Sequence, residues 1–550
     1  MKIFKSWKTK LIIIVLLTVT LLFALSKKDY YKKLSDSLLL YEKVYQVLVS
    51  DYVNQIDVEE FTEHSINEAL KKLDPYTVFL TEDEKEPIER LSKGNYGGVG
   101  IRITMRNDTL TAVAPMEGGP AKRAGVLPGD QIIKVDTLST LKMSLEEASK
   151  NLRGKPGSKV LITIHRPGLE ENLVVEIIRE KIDVPVISYA GMINDNTGYI
   201  KLAGFSKGAT QAVVKNIKDF QKNDNFSNLI LDFRNNPGGL LQEALGIAEL
   251  FTDRGDTLLL TKGRMRGSNT VFVSRRKPVL DDNIQIAALI NRGSASASEI
   301  VSGILQDTDR GIIIGSKSYG KGLVQRVKSI DKDHSLKITN AKYYIPSGRS
   351  IQTPDFIKDT SLVEFFDKED TVFYSKNGRQ LKGGGGIHPD FDIESEKLPL
   401  YVQKLWATNQ FYNYAIKYKA DNGKIPDYYK LDQEIIDGFK DFLIKKGFEF
   451  EYKDEKQLKK IKENFESDEK LQDMTEHIDS ILDHYRSLKI DKFDKNLKHI
   501  RQGLSSEFAT LDGGLSKRVE VNLLDDPVLK KTKDVFQNHS KYLNTLGFKN

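Results

Sequence analysis

At 550 residues the chain exceeds what one hydrophobic core fills, so it divides into roughly three to four domains. An apolar share of 39% and a charged share of 29% describe an ordinary globular protein, and exclude collagen-like, disordered and multi-span membrane chains. The net charge of +6 is supplied by six lysines before Asp29, leaving a neutral remainder with no sign of nucleic-acid binding, and the lack of cysteine removes thiol catalysis, thiolate metal sites and disulfides.

Lys2, Lys5, Lys8 and Lys10 precede an apolar run from Leu11 to Leu25, between a signal-peptide core and a membrane span of about twenty residues in length. Ala24 and Ser26 frame a small-x-small cleavage site. The expectation is an exported, periplasmic protein. Residues 1–26 act as a signal peptide or, uncleaved, anchor the chain in the inner membrane through residues 11–25, with the positive end inside.

Residues 27–93 read as an N-terminal helical region. Leu38, Leu39, Tyr41, Val44, Tyr45, Leu48 and Val49 recur at helical spacing, followed by Ile66, Ala69, Leu70 and Leu73 up to an Asp74-Pro75 turn. A β-rich module over 94–182 comes next, with strands near Leu110–Val113, Gln131–Val135 and Val160–His165 and one helix from Ser144 to Leu152. Its opening loop Gly97-Gly98-Val99-Gly100-Ile101 can aim several backbone N–H groups at one point, a nest suited to a carboxylate, and the strand behind it can pair with an extended peptide.

From 183 to 395, strand-like runs (Thr197–Leu202, Leu229–Phe233, Ile284–Ile290, Gly311–Ile314) alternate with helical ones (Thr210–Gln221, Leu241–Phe251, Ser296–Gln306), which predicts an α/β core. The glycines Gly383–Gly386 mark its end. Residues 396–550 read as charged amphipathic helices, for example Leu431–Lys446 and Leu471–Leu488, without a catalytic motif.

Three segments of the α/β region carry chemistry. Leu231-Asp232-Phe233-Arg234-Asn235-Asn236-Pro237-Gly238-Gly239 is a strand breaking into a glycine turn, whose backbone N–H groups are candidates for an oxyanion hole. Asn291-Arg292-Gly293-Ser294-Ala295-Ser296-Ala297-Ser298-Glu299 places serines at a helix N-terminus, where free N–H groups favour developing negative charge. A purely structural reading competes there, because Ser296-x-x-Glu299 is a capping box. Ser318-Tyr319-Gly320-Lys321-Gly322-Leu323-Val324-Gln325 sets a lysine between glycines; to act as a base it must be neutral, hence buried. Gln325 could orient it if the chain turns tightly at Gly322. None of the eight histidines lies in these segments, and no HExxH or metal-ligand cluster appears, so no metal and no cofactor are expected.

The run from Pro120 to Ile132 (Pro-Ala-Lys-Arg-Ala-Gly-Val-Leu-Pro-Gly-Asp-Gln-Ile) resembles the PDZ domains of bacterial exported proteases. That resemblance implies capture of a free carboxyl terminus by the amides of Gly97, Gly98, Val99, Gly100 and Ile101, in a groove formed with Ile103 and the helix residues Leu145, Ala148 and Leu152. The three chemical segments together resemble the carboxyl-terminal-processing, or tail-specific, proteases, a Ser–Lys peptidase family, over about Leu38 to Asp390. The resemblance implies a crotonase/ClpP-like α/β peptidase core with an inserted PDZ domain. It implies Ser296 as nucleophile, Lys321 as base twenty-five positions later, Gln325 as its orienting partner, and an oxyanion hole from Ala297 N–H with Gly238 or Gly239, Gly238 being favoured. Ser294 and Ser298 are then expected to tolerate alanine far better than Ser296. The partners implied are protein or peptide substrates with a free carboxyl terminus.

An adaptor or a second copy on the C-terminal helices is left open. Two other readings compete: a catalytically silent PDZ scaffold, and a crotonase-like acyl-transfer enzyme that would not need Lys321.

Overall fold

The structure, a computed structural model, describes residues 7–353, 371–394, 396–466, 475–489 and 491–548, without the side chains of 7–28 and Arg266. The chain divides into two units, Met1–Phe79 and Leu80–Asn550.

The first unit holds a long helix, Trp7–Asp51, and a shorter one, Val58–Leu70. Asp57 caps the second by accepting the N–H groups of Glu59 and Glu60. The Tyr45 hydroxyl donates to Val58 O at 3.0 Å and its ring meets Phe61 at 5.7 Å, which joins the two helices. Leu38, Leu39, Tyr41 and Val44 remain exposed. The expected Asp74-Pro75 turn is held by the Asp74 carboxylate, which accepts N–H groups from Tyr76 and Thr77, both at 2.8 Å. Among the described residues no helix is long and apolar enough to cross a membrane; the side chains of the Leu11–Leu25 run lie outside that description.

In the second unit the chain enters and leaves the β-rich module as a two-stranded ribbon, Asn95–Gly98 antiparallel to Glu180–Asp183. Between them, strands Ile101–Arg106, Thr109–Pro115, Gln131–Val135, Lys159–His165 and Leu173–Ile178 form one antiparallel sheet in that order. Alternating Ile132, Ile162 and Ile164 turn inward onto Leu110 and Ala112, and the helix Leu145–Leu152 closes the core with Ala148. Ser144 and Glu147 form that helix's capping box.

The larger core is a six-stranded sheet. Its order is Ile187–Met192, Thr197–Leu202, Asn228–Asp232, Gln285–Ile290, Ile312–Gly315 and Phe391–Asp392, the first pair antiparallel and the rest parallel. Parallel strands covered on both faces need continuous apolar runs, and Ile286, Ala287, Ala288, Leu289 and Ile290 are all buried. Helices Ala209–Phe220, Leu241–Glu249 and Ala297–Asp307 cover one face. The other face is covered by Val528, Leu529, Val535, Phe536, Tyr542 and Leu546 from the helices Pro527–Gln537 and His539–Thr545. The last two helices are therefore a layer of the α/β core, although the sequence groups them with the charged region after residue 396.

The remaining C-terminal helices build their own aromatic core around Phe411, Phe439 and Phe508. Of the expected helix Leu471–Leu488, the first four residues lie outside the described residues; the described part is Thr475–Lys489.

Candidate active site

Three adjacent parallel strands of the large sheet, Asn228–Asp232, Gln285–Ile290 and Ile312–Gly315, lead from their carboxyl ends into the three chemical segments. This is where open α/β sheets place their sites, because loops from neighbouring strand ends converge there.

The glycine turn and the serine turn are stitched together side by side. Asn291 Oδ1 accepts Asn235 N–H at 2.9 Å, and Asn291 Nδ2 donates to Asn235 Oδ1 at 3.0 Å. Ser294 Oγ donates to Phe233 O at 2.8 Å, and Ser298 Oγ donates to Asn236 O at 2.9 Å. Ser294 and Ser298 are wholly buried, whereas Ser296 between them is part-exposed. The flanking serines hold the two turns together; the middle one makes neither of these bonds and is left part-exposed.

Ser296 is the residue before the helix Ala297–Asp307, in a capping-box relationship with Glu299. A serine that only caps a helix has extended backbone angles. Ser296 has φ 55° and ψ −111°, a left-handed conformation that costs a non-glycine residue of order 1–3 kcal/mol and persists only where the surroundings enforce it.

Glu299 reaches well beyond its cap. Its Oε2 accepts Ser296 N–H at 2.8 Å and Lys321 N–H at 2.9 Å. Its Oε1 accepts Gly320 N–H at 2.7 Å and the Ser318 hydroxyl at 2.5 Å. Burial pushes the Glu299 carboxyl up to about 7, against the opposing pull of these four donors. From the opposite side the Tyr343 hydroxyl donates to Lys321 O and lies 3.5 Å from Ser296 O.

The lysine segment is backed by residues that sequence reasoning assigned no part in the site. Gly322 N–H donates to Gln352 Oε1 at 2.8 Å, and Thr353 N–H to Gly320 O at 2.9 Å. Ile387 N–H donates to Ser318 Oγ at 2.6 Å. A Cβ on Gly386 would lie 2.7 Å from Ser318 O, so the lysine segment presses on the end of the Gly383–Gly386 run and requires glycine at 386. The left-handed residue of the segment is Gly320 (φ 91°) and not Gly322, where the turn is expected. Lys321 is half-buried and precedes the strand Leu323–Ser329. Gln325 lies past a register shift at Val324/Gln325, and its Nε2 donates to Leu323 O at 3.3 Å and Thr339 Oγ1 at 3.4 Å. Those bonds carry the amide toward the neighbouring strand.

Gly238 and Gly239 both have positive φ, 100° and 152°. A Cβ on Gly238 would stand 2.7 Å from Ala295 O and 2.9 Å from Ala297 N, so only glycine leaves that space open. The N–H of Gly238, the favoured donor from sequence, donates to Asn236 Oδ1 at 3.0 Å. The carbonyl of Gly238 accepts Phe205 N–H at 3.1 Å, and in a trans peptide the following N–H points the other way. Gly239 N–H thus faces away from Phe205.

In the β-rich module Val99, Gly100, Ile101, Ile103 and Leu152 line one groove, as expected. Arg90, Tyr96, Ser149 and Arg153 line it too and were not anticipated. Four expected residues do not line it. Gly97 and Gly98 are paired in the entry ribbon with Lys181 and Glu180, Ala148 is consumed by the module's core, and Leu145 projects into solvent.

Comparison with known proteins fits this architecture. A family model described as peptidase family S41 matches residues 196–362, one described as PDZ domain matches 111–166, and one described as the C-terminal helical domain of a probable PDZ-protease matches 401–536. A carboxy-terminal-processing protease of Bartonella bacilliformis is 35% identical over 366 residues, which is 65% of this chain and 82% of that one. A probable CtpA-like serine protease of Staphylococcus aureus is 35% identical over 337 residues, 58% of this chain and 64% of the relative's length. A solved photosystem II D1 C-terminal processing protease is 26% identical, covering 66% of this chain and 94% of its own, with a TM-score of 0.35. A shared PDZ module, peptidase core and helical domain, with 35% identity over 82% of the Bartonella protease's length, mean that the chain belongs to peptidase family S41 and is a serine-type peptidase.

Proposed function

We propose that the chain is an endopeptidase that grips protein carboxyl termini in its PDZ groove and cuts peptide bonds with a Ser296–Lys321 dyad through an acyl-enzyme. The observation that carries this reading is the convergence of Ser296 N–H and Lys321 N–H on one Glu299 oxygen, which brings a strained, part-exposed serine beside the lysine segment. Neutral Lys321 Nζ takes the proton of Ser296 Oγ as the oxygen bonds to the scissile carbonyl carbon. The tetrahedral oxyanion is met by Ala297 N–H, an orphan donor at a helix start, and by Gly239 N–H, with Gly238 keeping the space clear. Collapse breaks the C–N bond, the departing amine takes the proton from Lys321, and the acyl group stays on Ser296 as an ester. Water, deprotonated by Lys321, then releases the carboxylate product and restores the serine. Gln325 orients Lys321 in the substrate complex, its two long bonds being weak enough to exchange.

The groove supports tail recognition, because its apolar residues Val99, Ile101, Ile103 and Leu152 suit a terminal side chain and the turn at left-handed Gly100 suits its carboxylate. The lysine-flanked apolar run at the N-terminus supports export to the periplasm, anchored or cleaved.

The test is digestion of an unfolded protein bearing an apolar tail by the form lacking residues 1–26, with Ser296→Ala and Lys321→Ala alongside and the tail free or amidated. Loss of cleavage in both variants and slower cleavage of the amidated tail are expected. Equal cleavage by wild type and Ser296→Ala would refute the nucleophile.

A further inference from the structure

We propose that Glu299 is a positioning residue for the reaction: its ionised carboxylate holds the serine turn and the lysine segment in one geometry by taking a backbone N–H from each on a single oxygen. This rests on the Ser296–Lys321 reading above and deepens it.

Capping alone explains little of what Glu299 does. A capping box asks one bond of the carboxylate, from Ser296 N–H. The other three donors, Ser318 Oγ, Gly320 N and Lys321 N, lie 19, 21 and 22 positions away in the lysine segment. Glu299 is wholly buried and has no cationic side chain among these partners, an arrangement that is costly for a carboxylate and rarely kept for structure alone. Proton transfer from Ser296 Oγ to Lys321 Nζ needs the two groups within hydrogen-bond reach, and a shift of about 1 Å is enough to cost roughly a hundredfold. Glu299 is the side chain on which both backbones are registered.

The donor set also fixes the charge state required. Three of the four donors are backbone N–H groups, which cannot accept a proton in return. Only the Ser318 hydroxyl could, through the lone pair left after it accepts Ile387 N–H. A protonated side chain at 299 must therefore reverse the Ser318 bond, and an amidated one turns its NH2 toward Gly320 N–H or toward the Ser296 and Lys321 pair, so that one half of the bridge weakens. The segments packed on the carboxylate carry Lys317, Tyr319 and Lys321 around its donors, His388 beside Ile387, Tyr343 and, in the serine turn, Arg292, while its four direct partners are neutral. Activity thus depends on losing a proton at Glu299 and having none extra on Lys321, which gives an acid limb governed by two protons.

The experiment compares wild type, Glu299→Gln and Ser296→Ala in steady-state cleavage of a tailed substrate across pH, with tail-peptide affinity measured separately. For Glu299→Gln a fall in kcat of ten- to a hundredfold is expected, with KM and tail affinity within twofold. The limiting slope of log kcat on the acid side is expected to drop from two in wild type to one. A Glu299→Gln enzyme with wild-type kcat and slope overturns the proposal, while an inactive Ser296→Ala in the same assay leaves the dyad standing. Activity in Ser296→Ala removes the dyad, and this inference with it. Should Glu299→Gln not fold, the wild-type profile decides: a limiting slope of one overturns the proposal and a slope of two supports it.

Discussion

Arg106 of the PDZ module and Glu507 of the C-terminal helices form an ion pair at 3.1 Å, with their side chains only 10% and 2% exposed. The guanidinium also lies 3.7 Å over the ring of Tyr412, whose hydroxyl donates to Gly129 O at 3.2 Å. The helix Leu497–Asn522 loses helical geometry at Gly513 and Gly514 where it meets the module, and a Cβ on Gly514 would lie 3.4 Å from Ala114. One task of the C-terminal helices is therefore to hold the PDZ module.

Removing one partner of a withdrawn ion pair leaves the other charge unpaired, at a cost of about 3–5 kcal/mol. Glu507→Ala is expected to loosen the PDZ module selectively. Hydrogen exchange should quicken in strands Ile101–Arg106 and Thr109–Pro115 and stay unchanged in Asn228–Asp232 and Gln285–Ile290. Uniformly faster exchange would mean that the pair supports the whole unit.

The three serines separate by what their hydroxyls do. Ser294→Ala and Ser298→Ala each lose a buried bond to a carbonyl and should lower stability by about 1–3 kcal/mol, with cleavage retained within tenfold. Ser296→Ala should keep its melting temperature within a few degrees and lose cleavage by a thousandfold or more. Thermal melts and cleavage rates on the same preparations check both halves.

Much of this site is legible in the sequence where the signal is local. The strand Thr197–Leu202 has the same bounds by pattern and by structure, its Tyr199, Ile200 and Leu202 being strand-forming residues that are buried in the sheet. The Ser296 and Lys321 segments are marked by their small residues and by the family spacing. What could not be read is long-range. Glu299 shows as a cap because Ser296 is three positions away, and its other partners are brought by the neighbouring strand. The run Gly383–Gly386 looks like a terminator until Ser318 is packed on its last glycine, Gly386. Tyr542 donates its hydroxyl to Ile286 O, 256 positions back, so the sheet's second layer is invisible in a reading that treats the C-terminal helices as one group.

The two glycines of the oxyanion turn should fail differently from the serine. Alanine at 238 or 239 must adopt a left-handed or extended positive φ and place a Cβ within 2.7 Å of Ala295 O or 2.5 Å of Phe205 O. Both substitutions should cut kcat by a hundred- to a thousandfold, the scale of one lost oxyanion donor, with KM little changed. Phosphonylation of Ser296 by a serine-directed fluorophosphonate, with loss of fluoride, should slow in parallel. Unaltered kcat in both variants would remove this turn from the reaction.

Glu299 also makes a stability prediction whose sign opposes its effect on rate. Its folded-state carboxyl stands at about 7, above the 4.5 expected unfolded, so the fold binds a proton there more tightly than the unfolded chain does. The resulting stabilisation is complete below about pH 4.5 and is lost as pH rises through about 7. A shift of that size corresponds to about 3 kcal/mol. Asp390, also raised by burial, contributes in the same direction, so the test is the difference between proteins. Between pH 5 and 8 the urea midpoint of wild type should fall relative to that of Glu299→Gln, while wild-type cleavage rises. Such opposition is expected of a group kept ionised for geometry at the expense of folding: the pH that assembles the dyad is the pH at which the carboxylate is least welcome in the core. Parallel midpoint curves for the two proteins would show that Glu299 does not change its protonation on folding, and would remove burial as the source of its raised carboxyl.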